Sequence, residues 1–182
     1  MVNLRIARWW IGAGWIGLLA GFAFAVGAAE PEDELKSATV LSFIRHSEWP
    51  QVAGDGPITV AVVGRPSMIR MLRQTLDGKT ANSRAIRIVD AKASGDLNSC
   101  QVIYVATDNS REVRQTLTGL GASHALTIGE SDRFLEYGGA VNLLIVDGHM
   151  SFEVSLEALR RAGVNISSTL LRYGQVKARP PA

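Results

Sequence analysis

The chain is poor in the residues that staple or metallate small proteins. Of its 182 residues, one is cysteine, three are histidine and six are proline. A single cysteine excludes an intramolecular disulfide framework and a cysteine-rich zinc module. The histidines, His46, His124 and His149, stand at no helical metal-ligand spacing and away from Cys100, so no metal centre is expected. No Gly-x-Ser-x-Gly elbow and no glycine-rich dinucleotide fingerprint occurs, and no cofactor is expected. Repeats and low-complexity tracts are missing too. Charge of one sign is scarce: 19 Lys+Arg face 17 Asp+Glu. The excess is Arg5 and Arg8; beyond residue 29, bases and acids are equal in number. No basic face remains, which argues against nucleic acid as a partner. What is plentiful is apolar sequence, 47% against 20% charged. That balance belongs to a folded chain, and the length suits one domain.

The apolar excess is concentrated at the start. Residues 1–29 hold no acid, carry Arg5 and Arg8 ahead of an apolar run from Trp9 to Ala29, and contain three of the four tryptophans. A positive start, an apolar run and a small-residue exit (Val26-Gly27-Ala28) describe an export signal, with cleavage expected after Ala28 or Ala29. An uncleaved membrane anchor is the alternative, since roughly 20 apolar residues can span a bilayer. Either way the remainder is expected to be exported. Residues 30–34 read as an acidic, disordered leader, 35–176 as the domain and 177–182 as a tail.

Leu35, Ala38, Leu41 and Ile44, widened by Val40 and Phe43, predict a largely buried helix ending by Trp49-Pro50. Ile58–Val63 is a continuous β-branched run, expected as a strand buried on both faces. Gly64-Arg65-Pro66-Ser67 turns the chain into a helix striped by Met68, Ile69, Leu72 and Leu76. Strands are expected at Ala85–Val89, Val102–Val105, His124–Ile128 and Val141–Val146, with a helix after Asn109. Asp147-Gly148 signals a type I′ hairpin into Met150–Val154, an antiparallel edge strand. Ser155 caps Leu156–Ala162, and Ser167 or Ser168 opens a last short helix. The alternation predicts an α/β fold: a mostly parallel sheet covered by helices on both faces, with one antiparallel edge strand from a C-terminal hairpin.

Candidate chemistry is thin. Gly64, Ser67, Asp108, Asn109 and Ser110 sit where strands end in turns, the usual ligand position in α/β sheets, and form a possible ligand cleft. A hydrolase using Ser67 or Ser110 lacks a neighbouring histidine in sequence. Asp147 and Glu153 could pair as carboxylates, but Asp147 reads as a turn residue. Trp49, Leu171, Arg172 and Tyr173 are of the types that anchor protein partners, so an exposed patch is expected around them; the alternative is that Trp49 simply packs the first helix against the sheet. Cys100 precedes a buried strand and is expected to be half buried and unreactive; an intermolecular disulfide is the alternative.

Several blocks share an order: Phe43–Pro50, Ile58–Gly64, Cys100–Val105, Gly138–Leu143, Phe152–Ser155 and Ile166–Arg172. Together they resemble the YfiR family of periplasmic regulatory proteins, over roughly Leu35 to Val176. The resemblance implies a non-enzymatic, exported α/β domain that tends to form homodimers. Its best-known members bind the periplasmic sensor part of a membrane diguanylate cyclase and hold it inactive; an envelope signal relieves this, and cyclic di-GMP and biofilm formation rise. Some members carry a cysteine matching Ala61 that can bond the one matching Cys100; here that partner is missing. A periplasmic small-molecule-sensing or carrier domain, acting on another membrane signalling protein, is the alternative function.

Overall fold

The computed structural model describes residues 31–50, 56–94 and 96–177. The expected export segment and its cleavage site lie outside them, as do part of the loop before Ile58 and the last five residues. Among the described residues no helix is long and apolar enough to cross a membrane.

One eight-stranded sheet organises the chain. Its strands in chain order are β2 (Ile58–Gly64), β3 (Thr80–Ala81), β4 (Arg84–Asp90), β5 (Val102–Ala106), β6 (Leu126–Gly129), β7 (Val141–Val146), β8 (His149–Ser155) and β10 (Gln175–Lys177). Across the sheet the order is β3-β4-β2-β5-β6-β7-β8-β10. Strands β4, β2, β5, β6 and β7 are mutually parallel, while β3 and β8 run antiparallel to β4 and β7. A two-stranded ladder, β1 (Ser47–Glu48) with β9 (Asn165–Ile166), stands apart. The helices are α1 (Pro31–Arg45), α2 (Pro66–Leu76), α3 (Ala91–Ser94), α4 (Ser110–Gly119), α5 (Leu156–Ala162) and α6 (Ser168–Leu171).

The layering follows from chain direction. From β2 the chain moves outward to β4, and from β5 it moves the opposite way to β6. Right-handed crossovers must then put α2 and α4 on opposite faces. They do: Met68, Leu72 and Leu76 of α2 join the core with Val60, Val62 and Tyr104, whereas Val113 of α4 packs with Ala61, Ile103 and Val105. The β-branched runs of β2 and β5 therefore feed both cores at once, as continuous apolar strands should. Helices α1 and α5 lie on the α2 face, where Phe43 meets Phe152 edge-to-face at 4.9 Å between ring centroids.

Local signals explain the ends. Asn109 Oδ1 accepts from Arg111 N and Glu112 N, and Ser155 Oγ from Ala158 N, each capping its helix. Asp147 (φ 51°) and Gly148 (φ 75°) make the expected type I′ hairpin.

Three expectations need correction. Residues 31–34 are no disordered leader: Pro31 sits in the first turn of α1 with Glu32, Asp33 and Glu34 behind it. Proline there needs no donor, and acids favour the positive helix end. The buried face of α1 is also rotated from the apolar stripe. Asp33, Ser37, Val40, Phe43 and Ile44 point inward, while Leu35 is 42% exposed and Ala38 faces solvent. Finally, the hairpin strand β8 is antiparallel as expected but is not outermost. The short strand β10 pairs with it in parallel, Gln175 opposite Glu153, and takes in Lys177, which was expected to open the tail.

Candidate functional site

The strand order reverses between β2 and β5, the switch point where doubly wound sheets commonly hold ligands. The expected cleft residues lie around it. Gly64 closes β2 with φ +105°, and a Cβ there would collide with the Ala106 carbonyl. Arg65 N–H donates to that same carbonyl at 2.9 Å. The loops after β2 and β5 thus meet at this point. Ser67, Asp108, Asn109 and Ser110 are exposed beside it; Asn109 is engaged in capping α4, and Ser110 borders a surface groove with Arg111 and Arg114.

What occupies the carboxyl edge of the sheet is a cluster of charge. Arg65, from the loop after β2, turns towards α1 and straddles two carboxylates. Its guanidinium reaches Asp33 at 3.2 Å and Glu130 Oε1 at 2.5 Å. Glu130 follows β6 directly. Its Oε2 also accepts from Tyr104 Oη at 2.8 Å and lies 3.0 Å from Lys36 Nζ. The carboxylates of Asp33 and Glu130 are each 5% exposed, Lys36 13% and Arg65 37%. Buried charge persists only when paired and hydrogen-bonded, and here two acids meet two bases and a phenol.

The electrostatics follow from those contacts. Burial alone would raise the Glu130 pKa, but the hydrogen bond from Arg65, the charge of Lys36 and the Tyr104 hydroxyl outweigh it and hold the carboxyl below its ordinary range. Burial pushes Tyr104 well above its ordinary value, and the Glu130 charge pushes the same way, so the phenol stays protonated and donates. Burial works against the Arg65 charge, yet Glu130 and Asp33 keep the guanidinium firmly protonated. None of these five was read as a site residue from sequence. The available signal was Gly64-Arg65 and Gly129-Glu130, each a charge placed just past a buried strand near the switch point.

The expected partner anchors divide. Trp49 is half-buried; its indole Nε1 donates to the Gln101 carbonyl at 2.9 Å, and the ring packs against the main core. It also borders a groove of about 870 Å³ with Arg45, His46, Asn82, Arg84, Ser167 and Ser168. The β3–β4 turn builds one wall: Asn82 and Ser83 both have positive φ, and the Asn82 amide donates to the Ser47 carbonyl at 2.8 Å. Leu171 packs on the core at the end of α6, whereas Arg172 is exposed and Tyr173 is 78% exposed. These three do not line the groove beside Trp49.

The YfiR/HmsC-like family description matches residues 33–175, a span that begins at the buried Asp33 and ends in β10. The chain belongs to the YfiR/HmsC-like family. A solved structure, a conserved domain protein from Vibrio cholerae O1 biovar El Tor strain N16961, is similar in fold: TM-score 0.53 at 13% identity, covering 79% of this chain and 60% of that one. The chain therefore spans about 60% of the length of that relative.

YfiR/HmsC-like proteins are regulatory rather than catalytic. The ring nitrogens of His46 and His124 meet the Ser42 and Ala162 carbonyls, at 2.8 and 2.9 Å. Among the described residues no group of His, Cys, Asp and Glu is placed to hold a metal ion. Cys100 is buried, 3% exposed, in the same apolar cluster as Ala61.

Proposed function

We propose that this chain is a periplasmic regulator that binds the sensor part of a membrane-anchored diguanylate cyclase, holds it inactive, and so lowers cyclic di-GMP and biofilm formation. The family match across residues 33–175 carries this reading. The apolar run ahead of α1 supports export, and the equal numbers of bases and acids beyond residue 29 leave recognition to shape and apolar contact rather than bulk charge. The docking positions we favour are the Trp49 groove and, separately from it, exposed Arg172 and Tyr173, residue types that anchor interfaces. We further propose that the working form is a homodimer, as in the family.

The test is a pull-down from detergent-solubilised membranes of the native host, with the exported domain as bait. Recovery of a transmembrane diguanylate cyclase supports the reading. Its absence at bait concentrations in the micromolar range, with other membrane proteins retained, contradicts it.

A second reading makes the chain a sensor of a small molecule. The groove beside Trp49, with Arg45, His46, Asn82 and Arg84 along it, is the place where such a ligand would sit. A ligand present at about 100 times its Kd should add about 2.7 kcal/mol of stability, visible as a rise in melting temperature. Flat melting curves across candidate metabolites would argue against it.

A further inference from the structure

Helix α1 is docked in two physically different halves. From Pro31 to Thr39 the only buried residues are Asp33 and Ser37, and no apolar side chain of that stretch is buried. Ser37 Oγ bonds the Glu34 carbonyl of its own helix, so its hydroxyl makes no polar tie to the sheet. What fastens these turns to the sheet is Asp33 on Arg65 and Lys36 on Glu130. From Val40 to Ile44 the contact is apolar: Val40, Phe43 and Ile44 are fully buried in the main core. The charged half lies over the ends of β2, β5 and β6, directly above Arg65, Tyr104 and Glu130.

We propose that the first two turns of α1 form a releasable strap, clamped by charge over the carboxyl edge of the sheet and hinged on the apolar half of the same helix. Release would uncover Arg65, Tyr104 and Glu130 at the switch point while Val40, Phe43 and Ile44 keep the helix attached. The reasoning is that ion pairs at a part-exposed guanidinium can exchange with water or a competing anion, whereas burial of Phe43 and Ile44 cannot be undone without opening the core. The strap is independent of the partner proposed above, because it concerns only how α1 is held.

Amide hydrogen exchange on protein expressed from the full-length sequence tests it. The first four amides of a helix have no helical acceptor, so the readout is Leu35 to Thr39 against Phe43 to Arg45. Asp33→Asn should speed exchange at residues 35–39 by about tenfold or more while residues 43–45 and β2 keep their protection. Lys36→Gln, which cuts the other tie, should do the same. Ile44→Val, in the apolar half, should instead speed exchange along the whole of α1. Equal acceleration across α1 and β2 in Asp33→Asn, no acceleration in either charge variant, or failure of both to fold would overturn the strap.

Discussion

The indole Nε1 of Trp49 donates to the main-chain carbonyl of Gln101 at 2.9 Å, across 52 residues of sequence. The same carbonyl receives the Leu126 N–H at 2.8 Å. One acceptor at the entrance to β5 thus ties the segment after α1 to the centre of the sheet. Trp49 is structural before it is anything else, and its substitution separates the two roles. Trp49→Phe keeps most of the ring and loses the donor, with an expected cost of about 1 kcal/mol. Trp49→Ala adds lost packing, for about 3 kcal/mol in total. Urea denaturation of both variants measures this; a Phe variant as stable as wild type would show that the hydrogen bond contributes nothing.

Glu130 should make stability depend on acid pH. Its folded pKa lies below the ordinary value of 4.5 because Arg65, Lys36 and Tyr104 together outweigh burial. A depressed carboxylate stabilises the fold above its unfolded pKa, and that contribution is lost as pH falls through the folded value. Glu130→Gln removes the charge and leaves Arg65 and Lys36 short of a partner, at a cost of about 3 kcal/mol near neutrality. The gap between wild type and variant should stay constant from pH 7 to about pH 5.5 and narrow below pH 4.5. A gap that instead widens on acidification would contradict the assignment.

Phe134 is wedged between two glycines. A Cβ on Gly129 or on Gly139 would fall well inside contact distance of the Phe134 ring. Gly129→Ala should therefore destabilise by about 1–3 kcal/mol through overpacking. The cost should shrink when Phe134→Leu is combined with it, and a double-mutant cycle reads the coupling. Additive effects would mean the ring is not the obstacle.

Cys100 is 3% exposed, so it should resist thiol reagents in the native state and react once the chain is unfolded. Non-reducing electrophoresis should show no disulfide-linked dimer. Rapid native labelling, or a covalent dimer abolished by Cys100→Ser, would revive the intermolecular bridge.

Much of the fold could be read from pattern. The β-branched runs at β2, β5 and β7 have few other uses, and Asp147-Gly148 and Asn109 carry their turn and cap chemistry in one or two residues. The face of α1 could not be read. An apolar stripe at Leu35 and Ala38 argues for burial, but Asp33 and Lys36 find Arg65 and Glu130, partners distant in sequence, and that pairing turns the helix. Strand β10 escaped because three residues cannot show a period. The position of the switch point was legible from the strand-turn-helix order; its local closure was not, since it depends on the φ of Gly64 and the carbonyl of Ala106. The charge cluster needed both of these pieces.

The most direct test of the regulatory reading is cyclic di-GMP measured by mass spectrometry in cells of the native host with and without this gene. A repressor of a diguanylate cyclase predicts a clear rise on deletion, returned to the starting level by expressing the chain from a plasmid. An unchanged or lower level on deletion would contradict it.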